Sequence, residues 1–380
     1  MLIVFVIAYT PETISIGPFH SPHGTISDNN KLLEMEELKL KYLKGFLNRT
    51  ELCMDDLVLK VQKWENKIRN CYAGPISFDS DDFLKIIIVD ACFIIEHFLR
   101  CFSHTDWMHN DPIIFKPSLN YSISRDLVLI ENQLPFFVLQ KIYNLADINQ
   151  ELPSFITITL DNFKPSNPQN INSETLRPKH FIDLLRTFLL PPLDFPTQEM
   201  QNSDYDTQHV YSTSQLSEAG FVFELHMPCF HVHDLTEMHM RNIIAFEECH
   251  LSDKGSAYIT QYFNVLDFLI DTEKDVRILV DKKIIVNWMS DANAVATMVN
   301  NLCKNSLAPP LNSNYLALCN GLNGFYENPR NKYKAIFVHE YFNTPWKITS
   351  TLTAVFLVLF TLIQAVCSIW SLVKSYKDMK

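Results

Sequence analysis

The chain has 380 residues, 47% of them hydrophobic, and only eight glycines, which allows a large buried core and leaves little material for a glycine-rich phosphate-binding architecture. Its net charge of −11 is uneven: residues 1–346 hold 28 basic and 42 acidic side chains, whereas the last 34 residues hold four lysines and one aspartate. An acidic body repels phosphate backbones, so nucleic acid is disfavoured as a partner.

Leu2 to Ala8 is an apolar run of seven that no Lys or Arg precedes, and Tyr9-Thr10-Pro11 follows it without a small-residue cleavage site, so it does not read as a secretory signal. After an extended opening through Pro22, residues Leu32, Met35, Leu38, Tyr42, Leu43 and Phe46 recur at spacings of three and four and predict an amphipathic helix. A second helix is expected from about Met54 to Tyr72. A third, from about Asp81 to Phe102, begins with capping residues Ser80-Asp81-Asp82 and is apolar nearly all round, so it should be central. Arg125 to Leu145 reads as another long helix, bent at Pro135. Thr157 to Asn172, rich in Asn and Pro, reads as a loop leading to a helix at about Lys179 to Leu190, which Pro191-Pro192 stops.

Residues 193–210 are polar and aperiodic and read as a flexible linker. Short strands are then expected at Gly220 to Leu225 and Cys229 to Val232, with a turn at Met227-Pro228. Helices resume at about Met238, Ala257, Lys274 and Ala292, and again from Tyr315 to Phe342 with a break near Pro329. The expected class is mainly α (α+β with a minor antiparallel β element): a helical globular domain over 1–346, then one C-terminal transmembrane helix.

That last helix carries the strongest signal. Ile348 to Val373 are 26 consecutive residues without a charged side chain, bounded by Lys347 and Lys374. As an α-helix the run spans roughly 39 Å, against about 30 Å of bilayer hydrocarbon. Trp346 and Trp370 lie about 36 Å apart along it, close to the separation of the two interfaces where indole rings prefer to sit. Residues 347–374 are therefore expected to be a membrane anchor with its flanks, and 375–380 a short basic tail. With so few residues after the anchor, insertion should follow translation and leave the large domain in the cytosol, at the plasma membrane or an endomembrane.

Three constellations invite a chemical reading. Glu131-Asn132-Gln133 interrupts an apolar stretch just before Pro135, which lacks an N–H and clashes with the carbonyl four residues back; the two amides suit the backbone groups that a bend would free. His226, Cys229, His231 and His233 are metal-ligand types, with Cys249 or His250 as possible additions, but they do not form a recognisable closed zinc motif and read as surface histidines. Asp90 and Glu96 sit six apart on different faces of one helix, which suits two separate buried hydrogen-bonding roles and not a carboxylate pair. No zinc-protease, nucleophile-elbow, Walker or dinucleotide fingerprint occurs. No catalytic, cofactor-binding or metal-binding residue is expected. The nine cysteines (53, 71, 92, 101, 229, 249, 303, 319 and 367) include no C-x-x-C and read as free thiols in a reducing compartment.

Several phrases together resemble the plant family known as domain of unknown function 247, or unknown protein family 0481. They are Tyr9-Thr10-Pro11 with Ile14-Ser15-Ile16-Gly17-Pro18-Phe19-His20; Met35-Glu36-Glu37 with Lys39, Tyr42 and Leu43; Asp90 to Glu96; and Glu131-Asn132-Gln133-Leu134-Pro135-Phe136-Phe137. Further on come Leu216 to Gly220, Asn242 to Glu247 with Phe246, Asp275-Val276 and Tyr341 to Trp346 with Pro345. The resemblance implies single-pass membrane proteins, some grass members being implicated in self-incompatibility, and it supplies no catalytic residue. It also implies a further N-terminal segment ending in an arginine-valine-proline phrase, which is absent here, so the resemblance leaves two readings of Met1, a truncated start or a gene-model artefact. The expected function is a membrane-anchored, non-enzymatic recognition or signalling protein with an unidentified protein partner. The alternative is a membrane-tethered enzyme or small-ligand receptor with a pocket near Glu131 to Pro135.

Overall fold

A computed structural model describes residues 8–22, 30–50, 52–103, 111–146, 152–172, 175–190, 210–221, 230–250, 256–304, 311–342 and 344–378. In chain order the elements are α1 (Asn30–Thr50), α2 (Met54–Gln62), α3 (Glu65–Arg69), α4 (Ser80–Phe102), α5 (Pro117–Asp126), α6 (Phe136–Leu145), α7 (Phe155–Asn162), a 3-10 turn (Lys164–Ser166) and α8 (Phe181–Leu189). Then follow α9 (Thr213–Glu218), β1 (Phe230–Val232), α10 (Thr236–His250), α11 (Tyr258–Leu269), α12 (Glu273–Asp281), β2 (Ile285–Asn287), α13 (Ala292–Cys303), α14 (Ser313–Glu327), α15 (Pro329–Phe342) and α16 (Pro345–Asp378). They fall into two compact units. One comprises Met1–Thr197, His233–Asn264 and Asn301–Pro310; the other comprises Gln198–Val232, Val265–Asn300 and Leu311–Lys380.

The first unit is organised around α4. Asp79 caps it by accepting the Asp82 N–H at 2.9 Å, Asp81 and Asp82 place negative charge at its N-terminus, and every residue from Ile86 to Arg100 is buried. The helix is apolar on all sides because α1, α2, α6 and α7 all pack against it. Phe98, near its end, sits among Phe155, Phe163 and Phe181, with the Phe181 ring centroid 5.6 Å away.

In the second unit β1 and β2 pair in parallel, Phe230 opposite Ile285 and Val232 opposite Asn287. The minor β element expected to be antiparallel is therefore parallel. Its partner strand is not the neighbouring stretch but Ile285–Asn287, more than fifty residues on, and a parallel pair requires a long crossover of that kind. Of the strand expected at Gly220 to Leu225, residues 222–225 lie outside the described residues, as do the Met227-Pro228 turn and all but the last residue of the 193–210 linker. In α9 the Ser212 side chain and Gln215 form a capping box, and Gly220 follows at φ +84°, a left-handed conformation that glycine adopts without strain.

Three other expectations also change. Arg125 to Leu145 is not one bent helix: α5 ends at Asp126, and α6 begins at Phe136 with Pro135 as its N-cap. There the missing N–H of proline costs nothing, because the first amides of a helix have no partner within it. Thr157 to Asn172 is not wholly loop, since α7 runs to Asn162; its Phe155, Ile156, Ile158 and Leu160 are buried, and burial outweighs the modest helix propensity of β-branched residues. The second expected helix divides into α2 and α3.

At the end of the chain, the stretch Pro345–Ser371 within α16 is long and apolar enough to cross a membrane, and none of it is buried against the rest of the protein. Phe360, Val366 and Trp370 are 66%, 63% and 74% exposed. A core helix of a soluble domain would be covered on such residues.

Candidate functional site

The distinctive polar residues of the first unit converge on its extended N-terminal segment. Residues 11–17 are largely buried but join no sheet, so each backbone N–H and carbonyl needs a side-chain partner. Asp126, fully buried at the end of α5, accepts the N–H groups of Glu12, Thr13 and Ile14 at 3.1, 2.6 and 3.0 Å. Asn132 accepts the Ile16 N–H at 2.6 Å and donates to the Ile14 carbonyl at 3.0 Å. Asp90 accepts the Gly17 N–H at 2.8 Å, and Lys39 donates to the Ser15 carbonyl. Four side chains from α1, α4, α5 and the loop before α6 thus replace the neighbouring strand that a sheet would supply.

Lys39 also pairs with Asp90 at 2.7 Å and with Glu36 at 2.6 Å. Burial works against its ammonium, but those two carboxylates hold its pKa above the usual lysine range; burial raises the Asp90 carboxyl to about 6 against the pull of Lys39. Gly17, at φ +77°, is needed where the segment turns, since a Cβ there would stand 2.9 Å from the Gln133 carbonyl oxygen.

Gln133 faces the other way. Its amide nitrogen donates to the carbonyls of Leu127, Leu129 and Asn132, and its oxygen accepts the Phe181 N–H at 3.0 Å. Asn132 likewise donates to the freed Asp126 carbonyl at 2.9 Å. Both amides thus bond carbonyls of the stretch before Pro135, where the helix is broken and not bent. Glu131 is exposed and touches His20 at 2.9 Å, Phe136 is buried, and half-buried Phe137 lies under the Lys67 ammonium at 4.3 Å. Both amides are bonded to backbone through their nitrogen and their oxygen.

Asp90 and Glu96 do serve separate networks. Glu96 accepts from Arg49 at 2.9 Å and from Arg100 at 2.7 Å, and Arg100 reaches Asp111 at 2.6 Å beneath the Tyr42 hydroxyl. Burial alone would raise the Asp111 carboxyl, but the Ile114 and Ile113 amides, Arg100 and Tyr42 outweigh it and hold it below the usual range. On α10, Asn242 accepts the Ile130 N–H at 2.8 Å and donates to the Ala8 carbonyl at 2.9 Å. Glu247 accepts from Arg186 at 2.7 Å, from the Thr260 hydroxyl at 2.7 Å and from the Thr260 N–H at 2.8 Å, while buried Phe246 packs against both the His180 and His250 rings. In the second unit Asp275 ties α12 to α9 through the Ser214 N–H at 2.6 Å.

A cavity of about 270 Å³ in the first unit is lined by Thr10, Glu12, Arg125, Leu129, Glu237 and Arg241 among others. Its cations are engaged internally, Arg125 with Glu12 at 2.8 Å and Arg241 with Glu237 at 2.7 Å. Among the described residues no group of three or more His, Cys, Asp and Glu could hold a metal ion. His231 instead accepts from the Trp288 indole at 3.4 Å, and His226 and Cys229 lie outside the described residues. Among the described residues Cys53, Cys71, Cys92, Cys101, Cys249, Cys319 and Cys367 are free thiols. Pro345 opens α16, and Trp346 beside it is 84% exposed. Sequence reasoning missed Asp126 and Asp111 as organising residues; a lone acid bordering the apolar run Leu127 to Ile130 was the available signal for the first.

The UPF0481 protein At3g47200 of Arabidopsis thaliana is 26% identical to this chain, over 97% of the chain and 84% of its own length. The putative UPF0481 protein At3g02645 of the same plant is 23% identical, over 78% and 75%. No solved structure matches the chain. Residues 4–360 match the family model described as plant protein of unknown function, and on that near-complete match the chain belongs to the DUF247 family.

Proposed function

We propose that this is a membrane-anchored, non-enzymatic protein-interaction protein whose helical body lies in the cytosol and binds another protein. The observation that carries the reading is α16, a bare apolar helix of membrane-spanning length, in contrast to the comparably apolar α4, which is covered by its neighbours. Support for a non-catalytic body comes from the polar phrases: Asn132, Gln133, Asn242 and Glu247 bond the protein's own backbone and side chains. A scaffold of that kind presents its outer surface for contact, and recognition between cells, as implicated for grass relatives, is one form such contact takes.

The test is full-length protein expressed in plant cells. It should stay in the membrane pellet after alkaline carbonate extraction, and deletion of residues 345–380 should release it; release of the intact chain would overturn the anchor. Asn48-Arg49-Thr50 and Asn120-Tyr121-Ser122 fit the N-glycosylation acceptor pattern, and Asn48 is exposed on α1 whereas Asn120 is half-buried with its side-chain oxygen covered, so a glycosidase-sensitive mobility shift lost in Asn48→Gln would place the body across the membrane. Mild-detergent isolation should recover a stoichiometric protein partner, and recovery of the chain alone in every tissue would count against the interaction role.

A further inference from the structure

We propose that α15 is a membrane-surface helix that binds the anionic headgroups of the leaflet through which α16 enters, an inference that rests on the anchoring reading of α16. Tyr333, Phe337 and Tyr341 recur every four residues and form one stripe along α15, where they are 73%, 53% and 50% exposed. The Phe337 and Tyr341 rings lie 5.1 Å apart. A row of large aromatic side chains in water is costly for an isolated domain, and Tyr and Trp are the residues that favour the headgroup layer of a bilayer. Ala335, on the opposite side, faces Gly220, so α15 is seated on its own unit by one side and presents the stripe on the other.

Charge selects the lipid class. Arg330, Lys332 and Lys334 are exposed on α15, Lys347 stands in the first turn of α16, and Glu340 is the sole acid between residues 329 and 347. This basic stretch belongs to a body with 42 acidic and 28 basic side chains up to residue 346. Clustered Lys and Arg directly beside a membrane span attract anionic headgroups, which would otherwise repel such a body.

Position supplies the third argument. Two residues separate α15 from α16, and the Thr351 hydroxyl donates to the Tyr341 carbonyl at 3.2 Å, which ties the end of α15 to the second turn of the anchor. At about 21 Å long, α15 is held at the level where Trp346 marks the interface.

The test is hydrogen–deuterium exchange of the full-length protein in nanodiscs of phosphatidylcholine, with and without phosphatidylserine. Amides of residues 329–342 should exchange about tenfold more slowly in the anionic discs, and the combined Arg330→Glu, Lys332→Glu, Lys334→Glu variant should lose that difference while α4 keeps its protection. A second variant, Phe337→Ser with Tyr341→Ser, should weaken it with the charges intact. If α16 is protected in both lipids but residues 329–342 exchange alike, this inference fails and the anchor stands. Exchange throughout α16 would sink the anchor itself. Protection that follows the number of copies per disc and not lipid charge would mean that a second copy covers the stripe, which also overturns the proposal.

Discussion

Asn132 bonds three backbone groups from two distant parts of the chain: the Ile16 N–H, the Ile14 carbonyl and the Asp126 carbonyl. Removing the amide takes this partner from the Ile16 N–H and the Ile14 carbonyl and leaves the Asp126 carbonyl only the Leu129 N–H at 3.3 Å, and a buried unmet polar group costs about 1–3 kcal/mol. Asn132→Ala is therefore expected to destabilise the protein by about 3 kcal/mol or more in urea unfolding of the detergent-solubilised chain. Asn132→Asp should be no better, because a carboxylate would face two carbonyl oxygens. A loss under about 0.5 kcal/mol for the alanine variant would mean that the N-terminal segment is not held in this way. At this scale the phrase around Asn132 is visible in sequence, and so is the need for its amides to meet freed backbone. Their second customer, a segment 116 residues earlier, is not visible, since composition and periodicity carry no information about contacts across that distance.

At the scale of elements, α8 and α10 are joined by the Arg186–Glu247 pair, with Arg186 also donating to the Ser256 carbonyl at 2.6 Å. Both side chains are buried, so breaking the pair from one side leaves a charge in the core, at a cost of about 3–5 kcal/mol. Glu247→Gln should unfold at markedly lower urea, and adding Arg186→Met should recover part of the loss. A double variant as unstable as the sum of the two single changes would show that the two residues act independently. The boundaries of α1, α4, α14 and α15 follow from spacing, caps and proline positions. The gap between α5 and α6 does not, because an apolar run bends or breaks at a proline according to what covers the freed groups. Here Gln133 and Asn132 cover them, and the run breaks.

Across the whole molecule, stability should depend on pH through buried histidines. Burial lowers the pKa of His97 to about 4, His180 to about 3 and His239 to about 4, with an ordinary value near 6.5 in the unfolded chain. Between those limits the unfolded state binds protons that the native state does not, so stability is full above about pH 6.5 and falls as pH drops towards 4. Each histidine contributes a slope of up to about 1.4 kcal/mol per pH unit. Urea midpoints measured at neutral pH and near pH 5 should show the fall, and His97→Gln should make it shallower by about one proton. A flat profile over that interval, or a slope unchanged in the variant, would contradict the buried neutral state.

By itself the sequence determined the mainly helical class, the central place of the 80–102 helix and the terminal apolar helix, because hydropathy and its period are local quantities written along the chain. Only the tertiary structure decided that β1 pairs in parallel with a strand more than fifty residues away, and that Asp126 and Asn132 bind residues 12–16. It also decided that α16 is left uncovered while an equally apolar α4 is wrapped by its neighbours. Those outcomes depend on which groups meet once the chain has closed on itself. A buried amide or carboxylate is satisfied by whatever backbone the fold brings to it, however far apart the two lie in the chain.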